Sequence, residues 1–101
     1  MSDDDHVYGE INNKTNLHDV ALQIRDDVRH ASSRSELTEL YRRAGYLITL
    51  SHAKSWKSKF GNKIGEIRNQ AQAEFATTAR TINRQAKKIG TDPDYDESWG
   101  S

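Results

Sequence analysis

The chain has 101 residues, no Cys and a formal net charge of zero, with 15 Lys and Arg balancing 15 Asp and Glu. That length predicts a single domain, and the absence of Cys excludes disulfides, thiolate metal sites and a Cys nucleophile, as suits a reducing compartment. No apolar run approaches the roughly 20 residues that span a bilayer, and the acidic start MSDDDHVYGE is unlike a secretory leader, so a cytoplasmic protein without a membrane anchor is expected.

The zero net charge conceals a segregation. Residues 1–10 carry −4 and residues 91–101 carry −4, whereas 11–90 hold all 15 Lys and Arg against 7 acids, a balance of +8. Leu, Ile, Val and Phe make up only 18 of the 101 residues, a thin supply for a core. The pattern predicts an acidic flexible segment over 1–14, a helical domain over 15–90 and an acidic, aromatic tail over 91–101.

The first helix is expected over 17–31, where Leu17, Ala21, Ile24, Val28 and Ala31 recur at steps of three and four, with Asn16 as its cap. A second begins after Ser33, because Glu36 three residues later completes a capping-box pattern. It carries Leu37, Leu40, Tyr41, Ala44, Leu47 and Ile48 on one side, and Gly45 inside it costs about 1 kcal/mol relative to Ala. The stretch AKSWKSKFGNKIG then reads as an irregular joint between 51 and 63, with Trp56 and Phe60 plugging the end of the bundle. The third helix is the longest. Ile64, Ile67, Ala71, Phe75, Ala79, Ile82, Ala86 and Ile89 advance at close to the helical period, and Gly90 is a natural stop. At 1.5 Å per residue this helix is roughly 40 Å long, more than two shorter helices cover unless the joint or a second copy of the chain extends them. The expected fold is therefore all-α, a three-helix bundle of two shorter helices and one long C-terminal helix, and a homo-oligomer, most simply a dimer, is expected.

Few chemistries find support in the residues. Asp92, Asp94 and Asp96 alternate as at the start of a calcium loop, but the sixth position is Glu97 rather than Gly, and the twelfth would lie past Ser101. His6, His18, His30 and His52 are spread along the chain, with no pair at metal-binding spacing on one helix face. No phosphate-cradling Gly loop or nucleophile elbow is present. Neither catalysis nor a metal or other cofactor is expected.

Binding is the remaining class, and two surfaces qualify. Arg42, Arg43, Lys54, Lys57, Lys59 and Lys63 cluster in sequence around Trp56 and Phe60, a combination that could neutralise phosphates and stack on bases. Arg80, Arg84, Lys87 and Lys88 could lengthen that stripe. The bland counterpart is a solvated basic face whose aromatics belong to the core. The second surface is the tail, where Tyr95 and Trp99 stand among acids as candidate anchors, on the bundle itself or on another protein. The principal expectation is a small protein–protein interaction module, an adaptor, inhibitor or complex subunit. The alternative is a nucleic-acid-binding accessory protein using the joint at 54–63, with the acidic ends modulating affinity.

Overall fold

The computed structural model describes residues 14–92 and Tyr95. Helices α1 (Lys14–His30), α2 (Arg34–Ser51), α3 (Lys54–Phe60) and α4 (Ile64–Ile89) follow in chain order, with a turn of 3-10 helix, Gly61–Lys63, between the last two. Among the described residues there is no strand. Helix α4 packs against both α1 and α2, and α3 with its 3-10 turn prolongs α4 at one end, giving the expected three-helix bundle with a long C-terminal arm.

Local chemistry sets the ends of the elements. Ser33 caps α2 by accepting a hydrogen bond from the Glu36 amide at 3.2 Å, while the Glu36 carboxylate accepts from the Ser32 amide and hydroxyl. The capping box is thus present with its return bond moved back by one residue. At the other extreme, Gly90 adopts φ 85°, ψ 22°. The Gly90 amide donates to Lys87 at 3.2 Å and the Thr91 amide to Ala86 at 2.8 Å, the paired bonds of a Schellman motif. Helix α1 differs from expectation. It begins at Lys14, so Asn16 lies inside the first turn and does not cap it.

The joint consists of two breaks. Helix α2 ends at Ser51, whose carbonyl accepts from Arg68 Nε at 3.0 Å, so α4 satisfies one of the carbonyls that the helix end would leave open. The second break is at Gly61, whose φ of 52° suits a residue without Cβ. Between them α3 seats Trp56, which is buried, against Phe60 with ring centroids 5.3 Å apart.

Two contiguous apolar clusters fill the interior. One joins Val20, Ile24, Val28, Leu37, Leu40, Leu47 and Ile82; the other joins Leu17, Ile48, Trp56, Ile67, Ala71 and Phe75. Ile67, Ala71, Phe75, Ala79, Ile82 and Ala86 of α4 are all buried within the single chain. Among the described residues Leu22, at 46 % exposure, is the large hydrophobic left on the surface. The uncovered apolar stripe that motivated a second copy is thus covered by α1, α2 and the Trp56 plug, and packing alone supplies no argument for a dimer. No described helix is long and apolar enough to cross a membrane.

Candidate functional site

Lys54, Lys57, Lys59 and Lys63 are all exposed at the joint end of the bundle. Trp56 is 7 % exposed, so its indole serves the core and offers no face for stacking. Phe60 is half-buried, with the Lys59 ammonium 5.7 Å from its ring centre. Arg42 and Arg43 lie elsewhere. Arg43 is eight residues before the end of α2, about 12 Å along its axis. Both arginines converge on Glu39: Arg42 grips it through two nitrogens at 2.7 and 3.1 Å, and Arg43 Nε approaches at 3.4 Å. The hydrogen bonds from Arg42 hold the Glu39 carboxyl below its ordinary pKa; partial burial opposes them, and the charges of both arginines add to the lowering. The predicted six-cation cluster therefore separates into a lysine knob at the joint and an arginine pair bound to a carboxylate on α2. Arg80, Arg84, Lys87 and Lys88 are exposed on the second half of α4, away from the joint.

The tail residue Tyr95 docks on its own bundle. Its amide donates to Asn83 Oδ1 at 3.1 Å, and its carbonyl accepts from Asn83 Nδ2 at 3.0 Å. One carboxamide on α4 thus holds one residue by both backbone groups. The ring lies 5.0 Å from that of Tyr41, which in turn meets Phe75 edge-on at 5.4 Å. The Tyr95 hydroxyl bonds Thr38 Oγ1 at 2.9 Å. Arg34 secures the approach, donating to the Asp92 carbonyl at 3.1 Å and Thr91 Oγ1 at 3.3 Å, with its guanidinium 6.0 Å from the Tyr95 ring. Trp99, the other predicted anchor, lies outside the described residues.

Beside this seat the outward face of α2 is hollowed. Thr38, Glu39, Tyr41, Arg42, Gly45, Tyr46 and Thr49 line a mostly apolar recess of about 450 Å³, a size in the range of side-chain and small-ligand pockets. Thr38, Arg42, Gly45 and Thr49 recur at steps of four and three, so they share one helix face, and Glu39, Tyr41 and Tyr46 flank it. Gly45 lines it together with the rings of Tyr41 and Tyr46.

A polar cluster that sequence reasoning missed sits between α1 and α4. Arg25 and Glu74 are 7 % and 6 % exposed and pair at 3.1 Å. The same guanidinium nitrogen reaches Thr78 Oγ1 at 3.2 Å, and the second Glu74 oxygen accepts from Gln70 at 3.1 Å and meets His18 Nδ1. Both carboxylate oxygens are engaged, and the cluster ties the two helices in register. His30 instead meets the Asp26 carbonyl at 2.9 Å, and His52 is exposed at the end of α2. The three described histidines therefore do not converge, and among the described residues no group of His, Asp and Glu could hold a metal ion.

Compared with known protein families, curated proteins and solved structures, the chain matches none. The functional reading rests on geometry alone.

Proposed function

We propose that this protein is a non-enzymatic protein–protein interaction module whose working surface is the outward face of α2, and that its partner presents an extended segment bearing an aromatic side chain beside carboxylates. The seat of Tyr95 carries the reading. There the bundle holds an aromatic residue from an acidic stretch through its backbone, its ring and its hydroxyl together. A side chain entering the recess next to it, between Tyr41 and Tyr46, gains apolar contact without displacing any core residue. Aromatic anchors in such pockets dominate interface energetics. Neither a second copy nor a cofactor is needed.

The test uses the full chain carrying Tyr95→Ala and Trp99→Ala, which takes away both tail aromatics and leaves only the backbone of residue 95 to compete for Asn83, and a fluorescein-labelled peptide of sequence DPDYDESWGS. Saturable binding by anisotropy, weakened when Asn83→Ala is added, is the expected result. An anisotropy that never rises removes the reading.

One observation favours a second reading, polyanion binding at the joint. Lys54, Lys57, Lys59 and Lys63 are exposed together, and no acid occurs between His52 and Gly65. With Trp56 buried, such binding would be electrostatic and free of base stacking. It would weaken steeply with salt and disappear in Lys57→Ala/Lys59→Ala. Labelled oligonucleotides that fail to bind at low salt exclude it.

A further inference from the structure

We infer that the outward face of α4, in its second half, is a docking strip for the phosphate backbone of double-stranded nucleic acid. The strip is separate from the α2 face and from the joint. Residues 75–91 contain Arg80, Arg84, Lys87 and Lys88 and no Asp or Glu. At about 100° per residue the four cations share an arc of about 100° over roughly 12 Å of helix axis. All four are exposed, on the side opposite the buried Phe75, Ala79, Ile82 and Ala86. The two acids of α4 do not offset them. Glu74 is buried against Arg25, and Glu66 lies fourteen residues before Arg80, about 21 Å along the axis.

Helix stability does not account for this pattern. Arg80 with Arg84, and Arg84 with Lys88, are like charges four residues apart, a spacing at which they repel and weaken the helix. Lys87 and Lys88 in the last turn complement the C-terminal carbonyls, but that effect fades within one turn and does not reach Arg84 or Arg80. Nor does the bundle neutralise the strip. Arg25, Arg42 and Arg43 each face a carboxylate. Among the described residues the four cations of the strip make no ion pair, and Arg80 donates to the Thr77 hydroxyl at 3.3 Å. What the face lacks selects its partner. No aromatic or large aliphatic side chain is exposed on it; the large hydrophobic exposed among the described residues is Leu22, on α1. A protein partner would call for an apolar anchor, an acidic membrane for an apolar face to insert, and a single strand for aromatics on which its bases stack. Phosphate oxygens need only guanidinium, ammonium and hydroxyl groups, and about 12 Å of duplex presents roughly seven of their charges.

The experiment titrates the full chain into a short fluorescein-labelled DNA duplex of arbitrary sequence, read by anisotropy. With four phosphates neutralised, log K should fall with log salt at a slope of about −3.6, on the order of a 100-fold loss between about 50 and 200 mM salt. Arg84→Gln alone should reduce that slope by about one. Arg80→Gln/Arg84→Gln/Lys87→Gln/Lys88→Gln should abolish binding while far-UV circular dichroism keeps its helical signal, since all four residues are exposed and Gln is a good helix former. Lys57→Ala/Lys59→Ala should bind as the wild type does. No rise in anisotropy at about 50 mM salt overturns the inference. So does loss of binding in Lys57→Ala/Lys59→Ala while the α4 variants still bind, which places the polyanion at the joint. Tighter binding to the separated strand, or binding to phosphatidylserine vesicles with none to the duplex, overturns it too. Peptide binding at the α2 face is independent of all these results.

Discussion

Glu74→Ala is the most informative single change for the fold. It removes the carboxylate that faces Arg25 at 3.1 Å and leaves a guanidinium only 7 % exposed with Thr78 Oγ1 and a main-chain carbonyl as its described acceptors. Removing one partner of a buried ion pair typically costs about 3–5 kcal/mol, because the surviving charge stays desolvated. Two acceptors remain for Arg25, so the lower end, about 3 kcal/mol, is expected. Folded domains are stable by roughly 5–15 kcal/mol in total, and a shift of about 4–8 °C per kcal/mol in a domain of this size puts the fall in Tm at roughly 12–24 °C. Replacing both members, as Arg25→Met with Glu74→Leu, removes the stranded charge and should leave stability unchanged or higher. Urea titrations followed by far-UV circular dichroism measure all three proteins. A loss below about 1 kcal/mol in Glu74→Ala would show that Arg25 swings out to water, and that the pair does not fix the register of α1 on α4.

Three smaller effects follow from the same geometry. Ser33→Ala should cost about 1 kcal/mol through loss of the acceptor for the Glu36 amide, visible as a lower urea midpoint with unchanged slope. Gly90→Ala forces a Cβ onto a residue at φ 85° and should cost about 1–2 kcal/mol, with release of Tyr95 seen as new protease sensitivity after Thr91. The Glu39 pKa is lowered in the fold, so its contribution is present above the ordinary carboxylate range and is lost as pH falls through the lowered value. Because the pair is exposed, that contribution is at most about 1 kcal/mol and is screened by salt; Glu39→Gln should flatten the acid limb of the stability–pH curve only slightly.

The periodic signals in the sequence translated directly into structure because helix packing repeats them. The stripe from Ile67 to Ala86 is buried along its whole length, and the terminator at Gly90 and the cap at Ser33 stand where local chemistry requires them. Trp56 and Phe60 form the expected plug, and that plug supplies the cover which the helix lengths required of either the joint or a second copy. The cation cluster was not legible. Neighbours in sequence were read as neighbours in space, yet the break after Ser51 separates Arg42 and Arg43 from the lysines, and Glu39 one turn away claims both arginines. Arg25 and Glu74 did leave a trace. Glu74 falls three residues after Ala71 and four before Thr78, on the stripe itself, and Arg25 falls four after Ala21 and three before Val28. A charge on each of two facing stripes is the mark of a buried pair. The Asn83–Tyr95 bond left no such trace, because it depends on how the chain turns at Gly90.

The claim that the outward face of α2 is where this protein binds is most directly tested by amide chemical shifts. Nitrogen-15-labelled full-length protein carrying Tyr95→Ala and Trp99→Ala would be titrated with the DPDYDESWGS peptide. Shifts confined to Thr38–Thr49 and the neighbourhood of Asn83 are predicted. A spectrum that does not move, or that moves only between Lys54 and Lys63, would contradict the account.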